Sequence, residues 1–394
     1  MNGKKLGFLV VSIALMVSLL AGGLFGQSAS QDNIYRYLSI FTEVFSLVRS
    51  NYVEPVEEEK LIAGAFDGLT SAIDEFSYYV PPASMSGYRD YAQPETTGVG
   101  LVVSRRFGYG YVIAPLEGSP AEKAGIEAGD FIELIDGRPT QEMALWEIRS
   151  ALHGEPGSKV EISVLRGSMS KREEMSLERN RFEIPPPSLE VVEGIGVVRI
   201  PFFTAETPGQ LRAVLGQASS QGVDKLIVDV RGNADGSVPA AIEAADLFLK
   251  EGTIATLTGR RAEKREWTAD PAAVWEGELL VLADTSSSSG AEVFAAALSG
   301  NERGRVVGTR TFGKAIEQKF VSLPSGGGLL VTVGSYATPD EQPLRGEGLR
   351  PDVQVDQTPL LIRSEGERER ELPDLILEKA LSLMTASATE KRAA

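Results

Sequence analysis

The amino-acid sequence predicts a multidomain α+β protein: a helical segment, then a small domain of short strands, then a layered α/β core. Three observations lead to this prediction. Residues 31–92 carry apolar side chains at helical spacing, residues 96–180 contain short alternating runs between turn formers, and residues 181–360 alternate strand-like and helix-like patterns. At 394 residues the chain is long enough for two or three domains.

The composition excludes several classes of protein and of site. The formal net charge of −16 leaves no basic face for nucleic acid. The absence of cysteine excludes disulfides, thiol nucleophiles and cysteine-ligated metals. The one histidine, His153, lies in ALHGEPG, a pattern typical of the C-terminal end of a helix. Nucleophilic catalysis in this chain therefore calls for a base other than histidine.

The N-terminus has the layout of an export signal, because Lys4 and Lys5 precede an uncharged apolar run, residues 6–25. This run of 20 residues is long for a cleaved signal and just long enough to span a bilayer. The GQSAS that follows is a poor cleavage site. We expect residues 1–26 to be an uncleaved anchor in the cytoplasmic membrane, with cleavage as the alternative, and the rest to be extracytoplasmic.

Two amphipathic helices are predicted in residues 31–92. The stretches IYRYLSIFTEVFSLVRSNYV and EEEKLIAGAFDGLTSAI both carry apolar residues at helical spacing. The segment ends in YYVPPASMSGYRDYAQPETTG, which is rich in turn formers. This part of the chain is therefore interpreted as an N-terminal helical region.

Residues 96–180 predict the small domain. TGVGLVVS, GYGYVIAPL, DFIELIDG and KVEISVLRG have the length and alternation of strands. Ser119 and Pro120 are placed to begin a short helix, with proline at its first position. MALWEIRSALHG predicts a second helix, and the Asp-Gly pair that closes DFIELIDG predicts a tight turn.

Residues 181–360 predict β-α units. GIGVVRI, KLIVDVRG, GELLVLAD and RVVGTRT are strand-like, and helical patterns lie between them. GLLVTVGSYATP adds a further strand. In residues 361–394, ELPDLILEKALSLM predicts a late amphipathic helix, and the last dozen or so residues look disordered.

The stretch LADTSSSSGAEVFAAAL contains four consecutive serines between a predicted strand and a predicted helix. Ser289 and Gly290 fall at the joint, where unpaired backbone N–H groups and the helix dipole favour negative charge. These donors are suited to an oxyanion hole, and Gly290 lets a carbonyl group approach closely. The local pattern admits a nucleophile at Ser289, but taken alone it favours a simple helix cap.

A second stretch, GRVVGTRTFGKAIEQKF, places Lys314 among apolar neighbours after a strand. Burial lowers the pKa of a lysine and makes it a candidate base, whereas an exposed lysine is the ordinary alternative. Residues 308–314 also spell G-x-x-x-x-G-K, the start of a phosphate-binding loop. That loop needs Ser or Thr next and a helix after it. Ala315 and the strand-like IEQKFVSL therefore argue against it.

A third stretch, DKLIVDVRGNADGSVPAA, hints at a calcium loop, but the pattern fails because Arg231 and Ile242 would occupy ligand positions. What remains is a glycine-containing turn from a strand into a helix, which is able to present N–H groups to an anion. No metal ion or cofactor is expected.

Taken together, these residues resemble the C-terminal processing peptidases, or tail-specific proteases. These are exported serine proteases with a Ser-Lys-Gln site and an inserted PDZ domain. SSSGAEV is loosely similar to the family's S-A-S-A-S-E-[IV], and TFGKAIEQ is similar to its T-F-G-K-G-x-x-Q, with Ala315 for glycine. GSPAEKAGIEAGDFIELIDG resembles the family's PDZ core. The resemblance covers roughly residues 34–385.

The resemblance implies roles for specific residues. Counting from the glutamate of SSSGAEV selects Ser289 as the nucleophile and Lys314, 25 residues later, as the base. Gln318 would hydrogen-bond the lysine amine and orient it. The oxyanion hole would use the N–H groups of Gly236 and Gly290. For the PDZ domain, residues 96–180, the substrate-binding residues would be those of the TGVGLVV loop: Gly98, Val99, Gly100 and Leu101.

Two departures from the family pattern stand out. Asp235 precedes Gly236 where the family usually has a double glycine, and an inward-pointing aspartate would repel a developing oxyanion. DEFS at residues 74–77 replaces a common D-P-H-S, a change with no chemical consequence apparent in the sequence.

The sequence is therefore interpreted as an exported, membrane-anchored serine endopeptidase. Its α/β peptidase core, residues 181–360, would cleave proteins whose free, apolar C-termini bind to the PDZ domain. A homo-oligomer or a regulatory partner is possible. The alternatives are a catalytically inactive PDZ adaptor that binds C-termini, which Asp235 favours, and an unrelated acidic α/β binding protein.

Overall fold

The computed structural model describes residues 33–91, 97–166, 171–261, 263–355 and 373–393, together with Met16. The predicted anchor, residues 6–25, lies outside these ranges. Among the described residues, no helix has both the length and the apolar character that crossing a membrane requires. The chain divides into two compact units, Met1–Phe66 and Asp67–Ala394.

The N-terminal helical prediction is confirmed. Helix α1 covers residues 33–51, α2 covers Glu58–Ser71, and α3 covers Met85–Tyr91. Strand β1 (Tyr78–Val80) and a 3₁₀ turn (Pro82–Ser84) lie in the segment for which the sequence predicted only turns.

The small domain of short strands forms within residues 97–181, and its elements follow the predicted order. Ser119 caps the first helix of this domain by accepting a hydrogen bond from the Glu122 N–H at 3.2 Å, as predicted. The elements are β2 (Thr97–Gly98), β3 (Leu101–Arg106), β4 (Tyr109–Pro115), α4 (Pro120–Lys123), β5 (Phe131–Ile135), β6 (Arg138–Pro139), a 3₁₀ turn (Thr140–Glu142), α5 (Leu145–Leu152), β7 (Lys159–Arg166), β8 (Lys171–Glu178) and β9 (Asn180–Arg181).

The main sheet of this domain has the order β3-β4-β5-β7-β8, with β6 beside β5, and β2 pairs separately with β9. Strand β3 is therefore an edge of the sheet, and α5 packs beside it. His153 caps the C-terminal end of α5, as the sequence predicted. The domain core is a cluster of fully or nearly fully buried side chains that includes Val103, Val112, Ile132, Ile148, Ile162 and Val164.

A six-stranded sheet forms the centre of the predicted α/β core. Its order is β10-β11-β12-β15-β16-β19; β10 is antiparallel, and the other neighbours are parallel. The elements of this layer are β10 (Ser188–Val192), β11 (Ile195–Arg199), α6 (Thr207–Ser220), β12 (Lys225–Asp229), α7 (Val238–Asp246), β15 (Glu278–Ala283), α8 (Gly290–Gly300), β16 (Arg305–Gly308), β19 (Val353–Gln354) and α9 (Leu375–Ala393).

Side-chain alternation along the strands explains why both faces of this sheet are covered. Leu226 and Val228 of β12 pack with α6, α7 and α8 on one face. Ile227, between them, packs on the other face against α9. Helix α9 continues to residue 393, so the expectation of disorder at the chain end is wrong up to that residue. Alanine, glutamate, lysine and arginine there are strong helix formers.

A second sheet was not predicted from the sequence, apart from its strands β17 and β18. It contains β13 (Thr253–Thr258), β14 (Arg265–Thr268), β17 (Ile316–Ser322) and β18 (Gly328–Ala337). Its order is β1-β18-β13-β14, and β17 also pairs with β18. Strand β1 thus joins the segment after α2 to the peptidase core by antiparallel pairing with β18.

The small domain packs directly on the core beside the predicted site. Val102, Ile113 and Ala114 of the small domain share one buried cluster with side chains from the core. The core members of this cluster are Phe76, Ala234, Phe312 and Ile316. Because Ala234 and Phe312 flank the predicted oxyanion and lysine loops, the two domains meet at the site.

Candidate active site

Three loops carry the predicted catalytic residues, and each follows a strand of the six-stranded sheet. Strands β12, β15 and β16 are parallel neighbours, so their carboxyl ends lie at one edge. The loop after β12 carries Gly236, the loop after β15 carries Ser289, and the loop after β16 carries Lys314. In open α/β sheets this edge is where ligands bind. The topology therefore brings together the three segments selected from the sequence.

Ser289 lies at the sharp joint between its loop and α8. Its backbone has φ 57° and ψ −114°, a left-handed conformation that is unusual for a residue other than glycine. Such a conformation costs about 1–3 kcal/mol and is concentrated at functional sites. The side chain makes no capping hydrogen bond to α8. The helix-cap alternative therefore does not account for this hydroxyl.

The Ser289 hydroxyl instead donates a hydrogen bond to the carbonyl oxygen of Gly236, with an Oγ–O distance of 3.1 Å. Ser289 and Gly236 also form an isolated parallel β-bridge between their loops. The group of Gly236 that meets the nucleophile is thus its carbonyl, whereas an oxyanion hole needs an N–H donor. The roles of Gly236 and Gly290 as oxyanion donors stay predictions.

The other three serines of the run join the serine loop to the loop after β12. Ser286 Oγ accepts from the Gly232 N–H at 2.7 Å, Ser287 Oγ donates to the Val230 carbonyl at 2.9 Å, and Ser288 Oγ accepts from the Asp235 N–H at 3.1 Å. All three side chains are buried. The run is therefore neither a linker nor four equivalent hydroxyls. Three serines fix the loops, and the fourth faces the site.

Lys314 is buried, with 3% of its side chain exposed. Its Nζ donates a hydrogen bond to Asp235 Oδ1 and lies 5.3 Å from the centroid of the Phe76 ring. Burial lowers the pKa of Lys314; the Asp235 carboxylate opposes that shift, and Arg149 adds to it. Among the described residues, Lys314 makes no hydrogen bond to Ser289.

Asp235 is the ion-pair partner of the predicted base. Burial would raise the pKa of Asp235, but Lys314 and Arg149 reverse the direction and hold that pKa below its usual value. The side chain is 38% exposed, so water weakens the pairing compared with a sealed ion pair. The sequence raised the prospect of an aspartate that repels the oxyanion. In the structure the Asp235 carboxylate instead forms an ion pair with Lys314.

Gln318 is held by the segment before β1, because its Nε2 donates to the carbonyl oxygen of Phe76 at 3.1 Å. Its role in orienting the Lys314 amine stays a prediction. Phe76, from the DEFS stretch, thus contacts both residues: its ring faces Lys314 and its carbonyl holds Gln318. The change from D-P-H-S to DEFS therefore places an aromatic side chain beside the lysine.

Glu292 is a site residue to which the sequence analysis gave no role. Its side chain is fully buried and accepts hydrogen bonds from the Ser289 N–H at 3.1 Å and from the Gly313 and Lys314 N–H groups at 2.7 Å each. Thr311 Oγ1 donates to it at 2.6 Å. Burial raises the pKa of Glu292 to about 7 against the effect of these donors. One carboxylate therefore positions both the serine and lysine loops. The S-x-x-E spacing of a capping box was the available signal.

The predicted tail-binding loop begins the edge strand of the small domain. The Val99 N–H donates to the Leu152 carbonyl at 3.1 Å, and its side chain is fully buried. The Leu116 N–H donates to the Gly100 carbonyl at 2.8 Å. Leu101 pairs with Pro115, and this register turns the Leu101 N–H toward the open edge. Val99 thus supports the loop, whereas the Leu101 N–H faces the open edge of β3 and its half-buried side chain packs against the domain core.

Glycine is required in this loop for steric reasons. Gly98 and Gly100 have φ of 121° and 75°. A Cβ on Gly100 would lie 2.2 Å from the Ser119 Cβ.

The guanidinium of Arg149, on α5, reaches the edge strand β3 and donates to the carbonyl oxygen of Val103 at 3.0 Å.

The described residues contain no group of three or more histidine, aspartate or glutamate side chains arranged to hold a metal ion.

Comparisons with known proteins agree with this geometry. Residues 194–355 match the family model described as Peptidase family S41, and residues 111–166 match a PDZ domain. A carboxy-terminal-processing protease of Bartonella bacilliformis is 30% identical over 360 residues, which cover 90% of this chain and 83% of that protein. The chain belongs to peptidase family S41. The resemblance to C-terminal processing peptidases is thereby confirmed.

Two further proteins are similar to this chain over most of its length. A carboxyl-terminal-processing protease of Synechocystis sp. is 31% identical, covering 79% of this chain and 75% of that protein. The solved structure of a photosystem II D1 C-terminal processing protease is similar with a TM-score of 0.68 and 29% identity, covering 80% and 92% of the two chains. This S41 peptidase is a serine endopeptidase with a PDZ domain, and the predicted fold class is confirmed.

Proposed function

We propose that this S41 peptidase is an exported enzyme that recognises protein C-terminal tails through its PDZ domain and cleaves by a Ser-Lys-Gln mechanism. The observation that carries the proposal is the placement of a strained serine and a buried lysine in neighbouring loops at one edge of the sheet. Ser289 and Lys314 lie in loops that Glu292 joins through three backbone N–H groups. Burial makes the neutral amine accessible at a lower pH than for a free lysine.

The reaction proceeds through an acyl-enzyme. Neutral Lys314 takes the proton of the Ser289 hydroxyl while Oγ forms a bond to the substrate carbonyl carbon. The N–H groups of Gly236 and Gly290 stabilise the resulting oxyanion. The C–N bond then breaks, and the leaving amine takes the proton from Lys314. A water molecule then gives a proton to Lys314 while its oxygen bonds to the ester carbonyl carbon. The C–Oγ bond breaks and Lys314 returns the proton to Oγ, which restores the Ser289 hydroxyl.

Two contacts must change before this reaction. The Ser289 hydroxyl must leave the Gly236 carbonyl, and Lys314 must leave Asp235 and accept from Ser289. The arrangement described above therefore corresponds to a resting form. In the cleaving form, Gln318 orients the Lys314 amine.

Substrate tails add to the open edge of β3, with side chains against α5 and the terminal carboxylate at the loop Gly98–Leu101. The outward-facing N–H of Leu101 supports this position, and Arg149 must leave the Val103 carbonyl for a tail to pair there. The apolar run of residues 6–25 supports an extracytoplasmic, membrane-anchored location.

A degradation assay tests the proposal. The detergent-solubilised full chain is incubated with an unfolded protein that ends in apolar residues, beside the same protein with an amidated C-terminus. We expect cleavage of the free tail only, and its loss in Ser289→Ala and Lys314→Ala. The exposed residues Ser220 and Lys319 provide matched controls, Ser220→Ala and Lys319→Ala, which should cleave normally. Cleavage that persists in both site variants would mean that other residues react.

The inactive adaptor is the second candidate, because Lys314 is paired with Asp235 rather than with Ser289. The same assay separates the two functions. An adaptor binds the free tail with an affinity that amidation weakens, and yet it leaves the substrate intact at every pH and enzyme concentration.

A further inference from the structure

The Asp235–Gly236 segment holds both reactive groups at once. The Asp235 carboxylate accepts from the Lys314 ammonium, and the next carbonyl along the chain, that of Gly236, accepts from the Ser289 hydroxyl. Both hydrogen bonds are the opposite of what catalysis needs. The lysine acts as a donor where a base must accept a proton, and the serine proton is directed away from that base.

The segment is held in this conformation by its neighbours. Asp235 has φ 63°, in the left-handed region that aspartate tolerates better than most residues. Its N–H donates to Ser288 Oγ at 3.1 Å. The backbone of the segment is therefore held by a contact that does not involve the carboxylate.

Charges from several elements act on the lysine. Arg149, on α5, and Glu292, on α8, both influence Lys314, and Glu75, from the segment before β1, interacts with it more weakly. Asp235 is the group that contacts Nζ directly. Arg149 also influences Asp235, so the carboxylate keeps a positively charged neighbour when Lys314 becomes neutral.

We propose that Asp235 is an internal catch: by pairing with Lys314 it keeps the base protonated and away from Ser289, so that it sets the resting rate and the pH range of cleavage. This inference rests on the proposed Ser-Lys mechanism. The catch is released when the Asp235–Gly236 segment turns, because the same movement frees Lys314 and withdraws the Gly236 carbonyl from Ser289.

The test compares two variants. Asp235→Asn keeps the shape of the side chain without its charge, and Asp235→Gly removes the side chain while accepting the same left-handed backbone conformation. Glu193 is a matched control, since it is an exposed acid with φ 52° in the turn between β10 and β11, at the opposite end of the sheet. Its variants are Glu193→Gln and Glu193→Gly. The pH dependence of kcat/KM is measured on a fluorogenic peptide for all five proteins, the wild type included.

Removal of a carboxylate beside Lys314 lowers the lysine pKa, so the acid limb of the profile should move to lower pH by roughly 1–3 pH units. At a pH on the wild-type acid limb, kcat/KM should rise about 10-fold or more, since a limb displaced by one pH unit changes the fraction of neutral lysine about 10-fold. The Glu193 variants should follow the wild-type profile. Combination of Asp235→Gly with Ser289→Ala should remove all activity.

Three results would overturn the catch. An unchanged profile in both Asp235 variants would show that the carboxylate does not control the base, while cleavage itself stands. Loss of activity in both variants, with an active wild type, would make Asp235 a residue required for cleavage. If the wild type and both folded variants fail to cleave, the proposed function fails, and the catch fails with it.

Discussion

The Oγ of Ser289 lies 3.1 Å from the carbonyl oxygen of Gly236 and donates a hydrogen bond to it. The proposed nucleophile and the expected oxyanion loop are thus already in contact, but through a carbonyl. Five predictions concern the residues that control this relationship and the binding of the substrate tail.

Gly236→Ala should impair both stability and cleavage. A Cβ at Gly236 would lie 2.9 Å from Asn233 Oδ1 and from the Phe203 N atom. Overpacking of this kind costs about 1–3 kcal/mol, and it obstructs movement of the loop. Urea unfolding and kcat measure the two effects. Gly216→Ala, in α6 with no atom within 4 Å of the new Cβ, should retain full activity. Equal behaviour of the two variants would contradict the prediction.

The serine run should separate into two functional classes. Ser288→Ala loses one part-buried hydrogen bond between loops, from the Asp235 N–H, and should lower the free energy of unfolding by about 1 kcal/mol. Ser287→Ala loses its bond to the Val230 carbonyl and the one it accepts from the Asp284 N–H, so a larger loss of about 1–3 kcal/mol is expected. Both should keep measurable cleavage, whereas Ser289→Ala should have none. Thermal unfolding and a peptide-cleavage assay of the three variants check this. Complete inactivity of Ser287→Ala in a folded protein would argue that the nucleophile is assigned wrongly.

Glu292→Gln should destabilise the protein and abolish cleavage. The amide replaces one acceptor oxygen with a donor that faces backbone N–H groups, and each buried N–H left without a partner costs about 1–3 kcal/mol. The exposed residue Glu302 offers a control in Glu302→Gln, for which a change within about 0.5 kcal/mol is expected. Denaturant unfolding of both variants provides the comparison.

Glu292 also gives stability a defined pH dependence. Its pKa is about 7 in the folded protein, against 4.5 for an unperturbed glutamate, so between these values the folded state binds more protons than the unfolded state. The contribution of Glu292 to the free energy of unfolding should therefore fall as pH rises through this window, by up to about 1.4 kcal/mol for each pH unit. The difference between wild type and Glu292→Gln, followed from about pH 4 to about pH 8, isolates this dependence. A difference that grows with pH would refute it.

Gly100→Ala should weaken tail binding while the peptidase core stays intact. Its Cβ would collide with Ser119, 2.2 Å away, and the loop would have to move. Gly157→Ala introduces similar backbone strain, at φ 86°, with no atom within 4 Å. We expect Gly100→Ala to raise KM for tail-bearing substrates at least tenfold with little change in kcat, and Gly157→Ala to leave KM unchanged. Fluorescence anisotropy with a labelled tail peptide measures the affinity directly.

Local patterns in the sequence predicted most of the elements but not every sheet. Strands such as Lys225–Asp229 and Glu278–Ala283 are continuous apolar runs buried on both faces, which makes them easy to recognise. The strand Arg265–Thr268 is short and largely exposed, and its partner, Thr253–Thr258, pairs with a strand about 80 residues later. No local signal indicates such pairing.

The sequence offered candidates for the site but not their contacts. The resemblance to the family's motifs selected Ser289 and Lys314, whereas the local pattern alone left a helix cap and a surface lysine open. The Lys314–Asp235 pair depends on how two loops fold against each other, and no spacing rule contains that information. The contact of Phe76 with Lys314 is harder still to predict, because Phe76 is far from Lys314 along the chain and comes near it through the pairing of β1 with β18.

The last described helix has a consequence for an enzyme that is proposed to act on loose chain ends. Ile376, Ala380 and Met384 follow one another at helical spacing and are fully buried on the central sheet, and Asp374, just before the helix, forms an ion pair with Arg231. Unravelling this stretch into a strand would expose three apolar side chains, at about 1–3 kcal/mol each. Its own final helix is therefore a poor substrate, and the fold itself protects the enzyme from self-digestion at that point.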